Sequence, residues 1–215
     1  MGIKLFLKKI TITFYIIILF YSSSYSQNKN TPRLIGTCEG CEAIFEYGDK
    51  KLSPVDTLPD FKDEGPKLKL TGIIYKNDGK TPAKDVIFYI YHTNQEGIYP
   101  TKSGSTGWER RHGYIRGWIK TDNDGKYTFY TLKPAHYPAK NPPPMHIHPT
   151  ILEPDGKYYW IETLYFEGDP NLIERQKNPK APRGGFPGVL HLRKEGDLLV
   201  AEHDIILGKN VPDYK

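Results

Sequence analysis

The chain has 215 residues, with 30 Lys and Arg against 25 Asp and Glu and a formal net charge of +5. Its 20 Gly, 18 Pro and 16 Tyr suit strands and shaped loops and argue against a helical bundle. Three of the cations, Lys4, Lys8 and Lys9, stand in the N-terminal segment; without them 27 basic residues face 25 acidic ones, a net of +2, so the balance gives no reason to expect a nucleic-acid partner.

Those lysines precede the apolar run "ITITFYIIILFY", and the small residues of "SSSYSQ" follow. This order predicts a secretory signal peptide over residues 1–26, with Gln27 as the new terminus and export to a periplasmic or extracellular space. The run is about a dozen residues long, short for a bilayer span, so no stable membrane insertion is expected after cleavage. An uncleaved anchor is the alternative. Residues 27–67 read as an irregular lead-in, punctuated by turns in "DKKLSPVDTLPD". It holds both cysteines, Cys38 and Cys41, in "GTCEGCEA". No second CxxC completes a zinc site, and no βαβ setting suggests a redox enzyme. In an exported chain the expectation is a small structural disulfide, with free thiols as the alternative.

From Leu68 to residue 215 the pattern predicts one all-β domain. "KLKLTGIIYK" alternates, and "NDGKTPA" turns. "KDVIFYIYHT" alternates again, with Val86, Phe88 and Ile90 on one face and Ile87, Tyr89 and Tyr91 on the other. "GYIRGWIKT", "KYTFYTL", "MHIHPTIL", "YYWIETLYF" and "LLVAEHDIIL" bring the set to about seven strands. "DNDG" predicts a hairpin turn, with "KYTFYTL" as the returning strand. Its Asp122 and Asp124 suggest a calcium loop, but Lys133 stands where that loop needs a glutamate. No long stretch has a helical period. Short strands with turns between them indicate a sandwich or barrel.

In a strand, residues i and i+2 point the same way, so His146 and His148 in "PPPMHIHPTI" can reach one metal ion. An HxH pair alone is a weak signal, and imidazole does not choose among zinc, copper, iron and nickel. Tyr99 in "QEGIYPTK" and Tyr137 in "KPAHYPAK" add weight, each in a loop flanked by Gly or Pro.

The ordered series over residues 68–170, "LTGIIYKNDGKTPAKDVIFYIYHTNQEGIY", "RGWIKTDNDGKYTFYTLKPAHYP", "HIH" and "YYWIETLYFEGDP", resembles the core of the intradiol ring-cleavage dioxygenases, which include catechol and protocatechuate dioxygenases. The resemblance implies a β-sandwich with long loops and a non-haem Fe(III) ion held by Tyr99, Tyr137, His146 and His148. Phenolate is a hard anionic donor suited to the ferric state. By analogy the substrates are a catechol-type aromatic diol and O2. The diol would displace Tyr137, and the bond between the two hydroxyl-bearing carbons would break. Arg116, in the "RG" pair, is an expected catalytic cation. Family members usually carry an arginine three residues before the first histidine; Pro143 stands there, and Arg110, Arg111 or Arg116 is a candidate replacement. The loop 138–145 is shorter than usual. His136 is a candidate to support a ligand, His92 and Gln95 to line the pocket, and Trp118 and Trp160 to lie in the core. Homo-oligomers occur among relatives. The export signal suits a secreted branch of the family. A binding-only sandwich of the carboxypeptidase-regulatory or transthyretin type is the competing reading. It explains the strands and turns but not the ordered Tyr and His set.

Overall fold

The computed structural model describes residues 31–215; the expected signal peptide lies outside the described residues. Strands β1 (Arg33–Leu34), β2 (Val55–Thr57), β3 (Lys67–Tyr75), β4 (Ile87–Tyr91), β5 (Arg116–Lys120), β6 (Lys126–Leu132), β7 (His146–Leu152), β8 (Lys157–Trp160), β9 (Leu164–Phe166), β10 (Val189–Leu190), β11 (Leu192–Glu195), β12 (Leu198–Glu202) and β13 (Ile205–Ile206) form two sheets. The first runs β1-β8-β7-β4-β5, with β9 on β7 and β10 on β9. The second runs β11-β12-β3-β6-β2, with β13 on β3. Two single-turn helices, α1 (Glu109–His112) and α2 (Glu174–Lys177), lie in loops. This is the expected all-β sandwich.

Alternation builds the core. Phe88 and Ile90 of β4 and Ile147 and Ile151 of β7 face Leu68 and Leu70 of β3 and Tyr127 and Phe129 of β6. The Phe88 ring meets Tyr127 and Phe129 edge-on, at 4.9 and 5.4 Å between centroids. On the outer face of the first sheet, Tyr89, Trp118 and Tyr158 form a second cluster. The lead-in covers it with Cys41, Ala43 and Ile44. That segment also adds β1 beside β8 and β2 beside β6. Its turns thus carry a strand for each sheet. Cys38 and Cys41 are joined by a disulfide.

Three expectations about strands change. The turn at Asp122–Gly125 exists, with the Asp122 carboxylate accepting the amides of Asp124 and Lys126. It is not a hairpin, because β5 pairs with β4 while β6 pairs with β3 across the sandwich. An alternating strand needs one covered face, which the opposite sheet supplies as well as a neighbour does. "YYWIETLYF" divides into β8 and β9, which pair with opposite ends of β7. The break falls beside Pro149, which has no amide hydrogen to offer a partner. "LLVAEHDIIL" divides into β12 and β13 at His203–Asp204, where the Asp204 carboxylate accepts the Ile73 amide at 2.8 Å.

Candidate metal centre

The alternation that buries Ile147 and Ile151 leaves His146 and His148 on the outer face of the first sheet. Register sets Tyr91 of β4 opposite His148. The Tyr91 ring lies between two imidazoles, with centroids 4.6 Å from His148 and 3.8 Å from His112 of α1.

Two loops bring the phenols. The Asn94 side chain accepts the amides of Glu96 and Ile98, curling the chain ahead of Tyr99. Gly97 has φ +75°, and a Cβ there would lie 1.8 Å from the His136 carbonyl oxygen. Only a glycine lets the Tyr99 loop rest directly on the backbone that carries Tyr137. Gly113 meets the Tyr99–Pro100 backbone in the same way, with a Cβ position 2.9 Å from the Pro100 carbonyl.

The four expected ligands converge. Tyr99 Oη lies 2.6 Å from Tyr137 Oη and 2.9 Å from His148 Nε2, and Tyr137 Oη lies 3.1 Å from His146 Nε2. Donors about 2.0–2.2 Å from one small metal ion stand roughly 3 Å from each other, so this spacing fits a shared ion. His146 Nδ1 donates to the Pro144 carbonyl at 2.6 Å, which leaves the Nε2 lone pair facing the phenols. Burial pulls the His148 imidazole down to about 3, helped by the neighbouring histidines, and lowers His146 as well. Both rings are therefore neutral donors. Burial pushes the Tyr99 phenol far up, and the hydrogen bond to Tyr137 adds to this; burial raises Tyr137 too. Such phenols ionise near neutral pH only beside a strong positive charge, which a metal ion supplies. Among the described residues no group of three or more His, Cys, Asp and Glu forms an alternative cation site.

The other expected residues divide. Arg116 is held away from the centre. Its guanidinium donates to Glu46 at 2.6 Å and to Glu109 at 3.4 Å and lies over Trp118. The cation beside the phenols is Arg111, which lines a cavity of about 280 Å³ with Glu39, Tyr91, Tyr99, Tyr137 and His148. Glu39 pairs with Arg111. Pro143 is exposed. His92 is fully buried rather than pocket-lining: its ring bonds Thr131 at 2.7 Å, and the Thr131 hydroxyl continues to Asp60. Gln95 donates to the Lys133 carbonyl. Trp118 is buried as expected, whereas Trp160 is only half-buried.

His136 is held beside two of the expected ligands by a partner the sequence reading did not single out. Asp169 accepts from His136 Nε2 at 2.9 Å and from the Met145 amide at 2.8 Å. One carboxylate thereby ties the neighbours of Tyr137 and His146 together. Burial pushes this carboxyl up, but the Asn171 amide, the His136 ring and the Met145 amide outweigh it and hold it below the ordinary range. Asp169 lies in "FEGDP", inside the matched series, so that pattern carried its signal. His112 carried none, because its place comes from stacking on Tyr91, which lies inside the series but reads there only as an outward strand residue.

Comparison with known proteins agrees with this geometry. A family model described as Dioxygenase matches residues 46–183. The protocatechuate 3,4-dioxygenase beta chain of Burkholderia cepacia is 29% identical over 180 residues, 75% of each chain. The chlorocatechol 1,2-dioxygenase of Rhodococcus opacus is 30% identical over 133 residues, 54% of this chain and 50% of that one. The fold is that of the dioxygenase domain of a carbohydrate-binding fusion protein from Streptomyces sp. SirexAA-E, with TM-score 0.53 and 24% identity over 74% of this chain and 90% of that one. A binding-only sandwich accounts for neither the converging donors nor these matches. The chain belongs to the intradiol ring-cleavage dioxygenase family.

Proposed function

We propose that the protein is an exported Fe(III) dioxygenase that cleaves a catechol-type diol with O2 between its two hydroxyl-bearing carbons. The observation that carries this reading is the meeting of two phenols and two neutral imidazoles within hydrogen-bond distance of one another. The names of the relatives, protocatechuate and chlorocatechol dioxygenases, support the diol class. Bound Fe(III) supplies the Lewis acidity that draws electron density from the diol and prepares the ring for O2. The chain's own residues do the rest. His146 and His148 stay neutral. Tyr99, Tyr137, His146 and His148 would hold the iron, and Tyr137, as a phenolate, would be the base for one diol proton. Arg111 presents positive charge at the pocket wall while Trp108, Tyr91 and His112 form its aromatic side. The basic and apolar N-terminal segment supports export, with cleavage after Ser26.

The test is direct. Ferric phenolate absorbs visible light, so iron-loaded protein is expected to be coloured, to hold one iron per chain by elemental analysis, and to consume O2 with catechol. Colourless protein without iron after ferric loading would end the proposal. Recovery of an N-terminus other than Gln27 from exported protein would end the assignment of the cleavage point.

A further inference from the structure

The cavity at the centre has a neighbour. A second one, of about 270 Å³, shares Glu39, Tyr91 and His148 with the first, so the two adjoin on the outer face of the first sheet. The second lobe lies between the disulfide loop and the strands β7 and β8, with Thr37, Thr150, Trp160 and Thr163 in its wall. Its parts are fixed. Trp160 Nε1 donates to the Thr37 carbonyl at 3.0 Å, and the Arg183 guanidinium stacks 3.5 Å from the indole centroid. The Cys38–Cys41 disulfide closes the loop above.

Either lobe alone falls below the roughly 300–1,000 Å³ of sites that bury a drug-sized ligand, and the two taken together fall within it. A bare diol ring needs only the lobe that holds the phenols. The second lobe is surplus for such a substrate, yet it opens beside His148 and is lined by hydroxyls and an immobilised indole. Glu39, at the junction, is the one carboxylate in its wall, and the lobe's own lining includes no Lys or Arg. Glu39 is paired with Arg111, so the junction offers no free cation, and an anionic substituent gains no partner in the lobe. Resting on the dioxygenase reading, we propose that the substrate is a catechol bearing an extended uncharged substituent, which lies in the second lobe against Trp160 and is selected by Thr37 and Thr163.

The experiment is an anaerobic titration of iron-loaded protein, read from the shift of its visible band. The probes are catechol, 4-phenylcatechol and 3,4-dihydroxybenzoate. The expected result is that 4-phenylcatechol binds at least tenfold tighter than catechol, and 3,4-dihydroxybenzoate more weakly than either. Thr163→Trp and Thr37→Trp narrow the lobe from opposite sides, and each is expected to lower the 4-phenylcatechol to catechol affinity ratio at least tenfold. Thr37 is exposed, so its replacement tests the lobe without repacking a core, and a thermal melt checks that both variants are folded. Equal ratios in the native protein and both folded variants would overturn the second-lobe assignment alone. Failure of all three diols to perturb the band would overturn it together with the dioxygenase reading.

Discussion

Tyr99 and Tyr137 meet through one 2.6 Å contact, and each also touches a different histidine. Their roles are separable by spectrum: Tyr99→Phe and Tyr137→Phe are each expected to shift and weaken the visible band of the iron-loaded protein. An unchanged band in either variant would remove that residue from the ligand set. Asp169→Ala releases His136 and the Met145 amide at once, and iron affinity is expected to fall roughly 10–100-fold, as for other groups that orient ligands. A chelator competition measures it, and native affinity would refute the role. His203 tests a different force. Burial holds its imidazole down to about 4 from an ordinary 6.5. A folded value below the unfolded one means that the unfolded chain binds protons first as pH falls. Its stabilising contribution is therefore full above about pH 6.5 and is lost between there and about pH 4, about 3 kcal/mol at most. In His203→Leu, urea midpoints at pH 7.5 and 5 should lie closer together than in the native protein; the same spread in both would refute this. The convergence of the four expected ligands was legible in the sequence because their order and spacing match a pattern. Arg111 was only one of three candidates, since its position depends on α1 and on the lead-in residue Glu39.

Among the elements, the loops do the positioning and their glycines decide how closely they pack. Gly97 and Gly104 both have positive φ, +75° and +84°, but only Gly97 presses on another backbone; nothing lies within 4 Å of a Cβ on Gly104. Gly97→Ala is expected to abolish iron binding, while Gly104→Ala suffers the backbone strain alone and keeps its iron. Equal iron content in the two variants would show that the Tyr99 loop does not depend on this contact. The strands themselves were legible from alternation: the two faces of β4 fall as read, Phe88 and Ile90 inward and Tyr89 and Tyr91 outward. Pairing was not legible. The turn at Asp122–Gly125 has hairpin chemistry, yet its strands belong to different sheets, because local turn preference says nothing about which sheet covers the next strand.

For the molecule as a whole, the lead-in is the least expected contribution. Its polar, turn-rich text hides β1, β2 and the apolar lid of Cys41, Ala43 and Ile44 over Tyr89, Trp118 and Tyr158. Removing residues 31–57 uncovers three aromatic rings and two sheet edges. The shortened protein is expected to lose its cooperative thermal transition, and a native-like melt would refute that dependence. The segment escaped recognition because two- and three-residue strands leave no periodicity to read.

Strand β3 lies at the middle of the second sheet, and its neighbours β12 and β13 come from far along the chain, with Leu70 beside Ala201 and Ile74 beside Ile205. A ribosome making this polypeptide releases β3 long before those neighbours exist. One flank of the central strand therefore stays bare until β12 and β13 have been made, and such distant pairing is slow to close. For the proposed export, a nascent chain kept open in this way would be easy to thread through a narrow channel.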